Sequence, residues 1–146
     1  MEKDPNQPIS INTELLKENK EKTRLYYIQY AHARCHQIFR KAKEKNIAKI
    51  SSNIDLLTQE NERKIFKSLV QFPFILENIV EENKPHHLIN YLYELARGWQ
   101  VYYQNTIILE KNKPELTAQK LLLVKNIQIT LKLGLGLIGI EAPERM

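Results

Sequence analysis

Apolar residues recur three and four positions apart through most of this chain, the spacing of helix faces and not of strands. The pattern first holds over residues 15–45, with no glycine or proline to interrupt it. At about 1.5 Å per residue it predicts a helix of roughly 45–50 Å, which must be braced by several others. Asn12 or Thr13 stands where a side-chain oxygen can satisfy the free amides of the first turn. Residues 1–12 carry two prolines and no periodicity, and read as an irregular lead-in or the severed end of something larger.

Ser51-Ser52-Asn53 with Asp55 marks the first clear turn. Thr58 then opens a helix with Ile65, Phe66, Leu69 and Val70 at its apolar positions. Pro73, which cannot supply an amide hydrogen, is expected to restart the chain in a new helix bearing Ile75, Leu76, Ile79 and Val80, ending near Asn83 before Pro85. Residues 86–110 form the second long helix, with Leu88, Leu92, Leu95, Ala96, Trp99 and Tyr103 on one broad face. Residues 115–134 form the last, so apolar (Leu121, Leu122, Leu123, Val124, Ile127, Leu131) that it is expected to run between neighbours. No strand alternation or internal repeat competes with this reading. The expected fold is all-α, a bundle of four to five helices with one long N-terminal helix, in a single domain over residues 13–146.

Composition narrows the class. A chain of 146 residues with 42% hydrophobic and 27% charged residues can bury a core without a disulfide or metal. Its apolar runs fall far short of the roughly 20 residues a membrane helix needs, and its Met-Glu-Lys-Asp-Pro start is no signal sequence, so the expected location is cytoplasmic. The net charge of +5 is unevenly placed: residues 1–50 hold 11 Lys/Arg against 6 Asp/Glu, and residues 51–146 hold 11 against 11. Arg34, Arg40, Lys41, Lys43, Lys45 and Lys49 face only Glu44, so Lys41, Lys43 and Lys45 are candidate contacts for a phosphate backbone.

The richest chemistry lies in Tyr26-Tyr27-Ile28-Gln29-Tyr30-Ala31-His32-Ala33-Arg34-Cys35-His36. On a helix, Ile28, Ala31, Cys35, Ile38, Phe39 and Ala42 share a core stripe, while Tyr27, Tyr30 and Arg34 form a second stripe along its edge. Two phenols and a guanidinium so placed can stack on planar bases and bond their edges, or can be the rim of an ordinary core. His32 and His36 are spaced to share a metal, yet no acidic or cysteine cluster completes the set, so no metal is expected. Cys35, alone and on the core stripe, offers neither disulfide nor reactive thiol. Gly134-Leu135-Gly136-Leu137-Ile138-Gly139 has the letters of a dinucleotide motif but follows a helix where that motif needs a strand; its glycines are expected to end the last helix and let the tail fold back across it. No spacing assembles a nucleophile, base and orienting acid, so no catalytic residue is expected in this chain.

The stretch Tyr26 to Arg34 closely resembles the Tyr-Val-Gln-Tyr-Ala-His-Ala-Arg signature of arginyl-tRNA synthetases, at the start of their C-terminal anticodon-binding domain. Phe72-Pro73 resembles that family's short proline turn, and His87-Leu88-Ile89-Asn90-Tyr91-Leu92-Tyr93-Glu94-Leu95-Ala96 its next signature helix. Leu133-Gly134-Leu135-Gly136-Leu137-Ile138-Gly139-Ile140-Glu141-Ala142-Pro143-Glu144-Arg145-Met146 is similar to its C-terminus. The resemblance covers nearly all of residues 13–146. The Asp-Ala-Leu-Arg segment for which the domain is named is not visible, nor are the His-Ile-Gly-His and Lys-Met-Ser-Lys motifs of the class I catalytic domain.

The resemblance implies a helical domain that grips the anticodon stem-loop of arginine tRNA while a catalytic domain outside this chain uses ATP with magnesium. It implies that Tyr27, Tyr30 and Arg34 contact splayed loop bases, among them the middle cytosine, with Tyr103 from the second signature helix. It also implies that the main-chain carboxylate of Met146 accepts a hydrogen bond beside them. The expected partners are that tRNA and the enzyme's own catalytic domain, with no membrane or DNA, in a monomer. A helical protein-interaction module, or the equivalent domain of another class I synthetase such as the cysteinyl enzyme, is the alternative.

Overall fold

A computed structural model describes residues 13–47 and 49–146, with side chains from Lys17 onward. The expected lead-in over residues 1–12 and its cap therefore lie outside the described residues. Among the described residues four helices form: α1 (Thr13–Glu44), α2 (Glu60–Glu82), α3 (His86–Asn105) and α4 (Pro114–Leu137). At 32 residues α1 is about 48 Å long. Its core stripe is buried as the spacing requires, apart from a half-buried Phe39.

Pro73 does not start a new helix but lies inside α2. A proline there removes one ladder bond and crowds the preceding turn, costing about 3 kcal/mol. Packing on both sides offsets this: Ile65 is buried and Phe72 stacks on Tyr91 of α3 at 5.6 Å, with Leu69, Leu76 and Ile79 against the same core, so that the apolar stripe runs straight through the proline. The helix starts after Gln59 and not at Thr58, because Gln59 and Glu62 cap each other's free groups. It ends at Asn83, in a left-handed conformation at φ 53°.

The second long helix is shorter than expected, stopping at Asn105. Residues 106–113 instead form a connection tied down by Thr117, whose hydroxyl accepts from the Glu110 amide and donates to its carbonyl. Buried Lys120 completes the tie, donating to the Ile107 carbonyl and the Glu110 carboxylate. Trp99 and Tyr102 are fully buried and Tyr103 only half so, which moves Tyr103 from the core face to its rim. Burial and the bonded Glu62 carboxylate push the Tyr102 phenol well above its usual range, so it donates.

α1 packs on α3 and α4, and α2 packs on α3 and α4, while α1 and α2 do not meet among the described residues. They occupy opposite corners of the bundle. Residues 49–59 lace onto α4 between those corners: the Ser51 amide donates to the Ala118 carbonyl, and Gln119 holds Leu56 and Asn53. α4 contacts all three other helices, as its apolar character requires. Among the described residues no helix is long and apolar enough to cross a membrane.

Candidate nucleic-acid interface

One hydrogen bond registers α1 against α3. The fully buried Trp99 indole donates to the Ala31 carbonyl at 3.2 Å. The two helices run in the same direction, since Arg24 bonds Asn90 near one end and Arg34 meets Tyr103 near the other. A step of one turn from Ala31 and from Trp99 therefore brings Arg34 and Tyr103 together.

The Arg34 guanidinium lies 4.7 Å from the centre of the Tyr30 ring and 4.3 Å from that of Tyr103, and it donates to the Tyr30 hydroxyl. Tyr103 is itself braced edge-on by Trp99 at 5.7 Å. Among the described residues no ion pair includes Arg34. Its plane is fixed and its charge uncancelled, which is how a guanidinium is prepared to bond a planar acceptor edge. Tyr27, one turn before, meets Tyr93 of α3 at 5.4 Å. Burial and Tyr93 push the Tyr27 phenol up while Arg97 and Arg34 pull it down; burial wins, leaving a neutral hydroxyl that can donate.

Tyr27, Tyr30, Arg34 and Tyr103 thus come together. The three lysines diverge. Seven positions beyond Arg34, exposed Lys41 continues the same stripe, whereas Lys43 falls on the far side of α1, beside Phe39, Ala42 and Leu121. Lys45 follows the helix end and lines an open cleft of about 950 Å³ with Lys49, Asp55 and Glu110, away from the tyrosines.

The tail returns to α1. Gly134 and Gly136 remain helical, and only Gly139, at φ 73°, takes the left-handed turn. At Gly134 α4 lies against Leu92 of α3, and a methyl group there would overlap that side chain. After the turn, Gln29 donates to the Glu141 carbonyl, His32 Nδ1 to that of Pro143, and Arg40 to that of Glu144. Gln29, His32, His36 and Arg40 form a stripe on the other flank of the core stripe from Tyr27, Tyr30 and Arg34. Met146 ends this strap half exposed, at 53%.

His32 is a strut for the tail. Because the Pro143 carbonyl can only accept, Nδ1 carries the hydrogen, and Nε2 is left buried without a partner. Burial holds His32 below the usual histidine range, with Lys132 acting in the same direction; burial, His32, Arg40 and Lys125 do the same for His36. Cys35 is buried and free, and burial pushes its thiol far up, so it is inert. Among the described residues no three His, Cys, Asp or Glu side chains gather to hold a metal.

Three further residues, not singled out in the sequence, continue the seam: Tyr93 with Arg24 at 5.2 Å and Arg97 at 6.0 Å from its ring centre. Tyr93 and Arg97 are spaced i, i+4 on α3, a pairing visible in the letters. Arg24 lies far from that pair in the sequence, and only the parallel packing of α1 on α3 brings it there.

A strip of tyrosines and guanidiniums along one seam of an all-α bundle offers the stacking faces and charged donors that unpaired bases and phosphates take. The family model described as the DALR anticodon binding domain matches residues 28–146, and the chain belongs to that family. It is 35% identical over 144 residues to an arginine–tRNA ligase of Thermotoga maritima, covering 98% of this chain and 26% of that protein. It is 30% identical over 142 residues to that of Elusimicrobium minutum. Among solved structures, Thermus thermophilus arginyl-tRNA synthetase superposes with a TM-score of 0.67 at 36% identity, over 82% of this chain and 21% of that one. A putative arginyl-tRNA synthetase from Campylobacter jejuni gives 0.67 at 25% identity, over 86% and 27%. The chain spans about a quarter of the length of the curated relatives it matches.

Proposed function

We propose that this chain binds the anticodon stem-loop of arginine tRNA as part of a cytoplasmic, monomeric arginine–tRNA ligase, whose catalytic domain activates arginine with ATP and magnesium. The observation that carries the reading is Arg34, held between the Tyr30 and Tyr103 rings with its charge uncancelled. Its in-plane N–H groups suit the acceptors on the Watson–Crick edge of a splayed cytosine, and Tyr27 and Tyr30 supply faces for neighbouring bases. The cytosine amino group needs an acceptor, a role the family resemblance gives to the Met146 carboxylate, although the strap that carries it is bonded to Gln29, His32 and Arg40 on the other flank of α1 from Arg34. Lys41, on the same flank, meets a backbone phosphate; Lys43 and Lys45 meet phosphates only where the stem wraps the end of α1. The run from Gly134 to Gly139 closes a helix and opens none, so it is no cradle for the phosphates of ATP.

Replacing Tyr30 or Arg34 by alanine weakens binding of an arginine anticodon stem-loop by at least ~1 kcal/mol without unfolding the domain. If both variants bind like the parent in titrations at fixed salt, the pocket assignment is wrong. Equal binding to stem-loops with the middle cytosine replaced points to another class I synthetase.

One observation favours a second role beside the first. Phe66, Val70 and Phe74 of α2, with Ile129 and Leu133 of α4, are exposed, a face suited to the catalytic domain of the same enzyme. Self-association in sedimentation with no salt-dependent RNA binding favours a protein-interaction module instead.

A further inference from the structure

We propose that the α1–α3 seam holds a second nucleotide subsite, centred on Tyr93 between Arg24 and Arg97, which takes the phosphate and base of a loop nucleotide neighbouring the one at Arg34. This rests on the anticodon reading above and extends it along the seam.

The two guanidiniums reach the half-buried Tyr93 from different helices, Arg24 from α1 at 5.2 Å and Arg97 from α3 at 6.0 Å. Arg24 is oriented by the side-chain oxygen of Asn90, a neutral acceptor that fixes the guanidinium without cancelling its charge. Arg97 has an acid, Glu94, but the pair spans 3.3 Å with both side chains more than half exposed, a contact a phosphate can replace. Tyr27 joins this cluster to the first: its ring meets Tyr93 edge-on, and its phenol feels both Arg97 and Arg34. In the parallel register of the two helices the seam therefore runs Arg24, then Tyr27 with Tyr93, then Arg97, Tyr30 and finally Arg34 with Tyr103.

From Arg24 to Arg34 the seam extends about 15 Å along α1, more than one nucleotide occupies. Guanidiniums alternating with tyrosine rings match what a single strand presents, phosphates alternating with bases. The parallel course of α1 and α3 makes the repeat possible, because each turn adds one position from each helix to the same groove. The subsite holds whichever loop nucleotide follows the strand from Arg34 towards the start of the two helices, and it reads stacking and charge, not base identity.

The test uses the whole chain, titrated with an arginine anticodon stem-loop RNA and with the same RNA made abasic at the loop positions flanking the middle base. R24Q and R97Q are expected to weaken binding by about threefold to tenfold each, and to reduce the steepness of the salt dependence by about one unit for every phosphate that is no longer neutralised. Y93L is expected to weaken binding of the intact loop and to abolish the difference between the intact and abasic RNAs. Thermal melts of each variant separate this from a purely structural cation–aromatic cluster, which would move the melting midpoint and leave the salt slope alone. If R24Q and R97Q keep the parent's affinity and salt slope while Arg34→Ala loses binding, the subsite is refuted and the anticodon pocket stands. If Y93L affects both RNAs equally, the stacking role is refuted. If the parent does not bind the stem-loop at all, both readings fall.

Discussion

Arg34→Lys separates charge from geometry at the pocket. Lysine keeps the positive charge but loses the planar fork, the donation to the Tyr30 hydroxyl and the broad stack between Tyr30 and Tyr103. In the free domain those losses amount to about 1–2 kcal/mol, from one hydrogen bond and two partly exposed cation–aromatic contacts. In the complex a further charge-assisted contact to a base edge, worth about 1.5–3 kcal/mol, disappears, or about tenfold to a hundredfold in affinity. The long-range attraction to phosphates survives, so the salt dependence should keep the parent's slope. Fluorescence anisotropy at several salt concentrations, with stem-loops bearing cytosine or another base at the middle position, reads both quantities. The expected result is a weaker complex that no longer distinguishes the two RNAs, on an unchanged slope. Binding within twofold of the parent, with discrimination intact, would mean that Arg34 serves only as a charge and that the stacked geometry is incidental.

Three other outcomes follow from the fold. Gly134→Ala should cost about 1–3 kcal/mol in urea unfolding, because its methyl group collides with buried Leu92, whereas Gly136→Ala, with nothing within 4 Å, should be neutral or stabilising by about 0.5–1 kcal/mol. Pro73→Ala restores a ladder donor in the middle of α2 and should raise the thermal midpoint; a lower midpoint would show that the packing of α2 depends on the proline ring. His32 is held below its ordinary value of 6.5 by burial, so the unfolded chain takes up protons more readily than the folded one. The stability tied to neutral His32 is therefore complete above about pH 6.5 and falls as the pH drops through that value toward the depressed folded one. His32→Gln, which keeps a donor for Pro143 but cannot titrate, should flatten the difference between unfolding curves at neutral and mildly acidic pH.

The helical spacing carried most of this architecture, because core stripes such as Ile28–Ala31–Cys35–Ile38 and Leu88–Leu92–Leu95–Trp99 are local facts about side-chain direction. What it missed was set by tertiary contact. Pro73 looked like a break because the cost of an internal proline is visible locally, while the packing of Phe72 on Tyr91 that offsets it is not. Tyr103 and Tyr102 are adjacent in the chain and differ by about 100° around the helix, and the partner that Tyr102 finds in buried Glu62 of α2 is not visible in the local spacing. The Tyr27, Tyr30, Arg34 stripe was legible in the spacing, whereas Tyr103, which the spacing put on the core face, joined it only through the family resemblance. Arg24 was not legible, since nothing in the letters says that α1 and α3 run in parallel register. The tail's destination was hidden for a similar reason: its glycines suggest a reversal, and where it lands depends on three side chains more than a hundred residues away.

That tail is gripped by its main chain. Gln29, His32 and Arg40 all take carbonyl oxygens, those of Glu141, Pro143 and Glu144, and among the described residues no hydrogen bond from α1 reads a side chain of these three. The identities of Glu141 and Glu144 should thus be free to drift, whereas the number of residues between Gly139 and Pro143 should not. A one-residue insertion there would turn each oxygen away from its donor, and a substitution would leave the strap in place. Along this segment the protein measures length and ignores spelling.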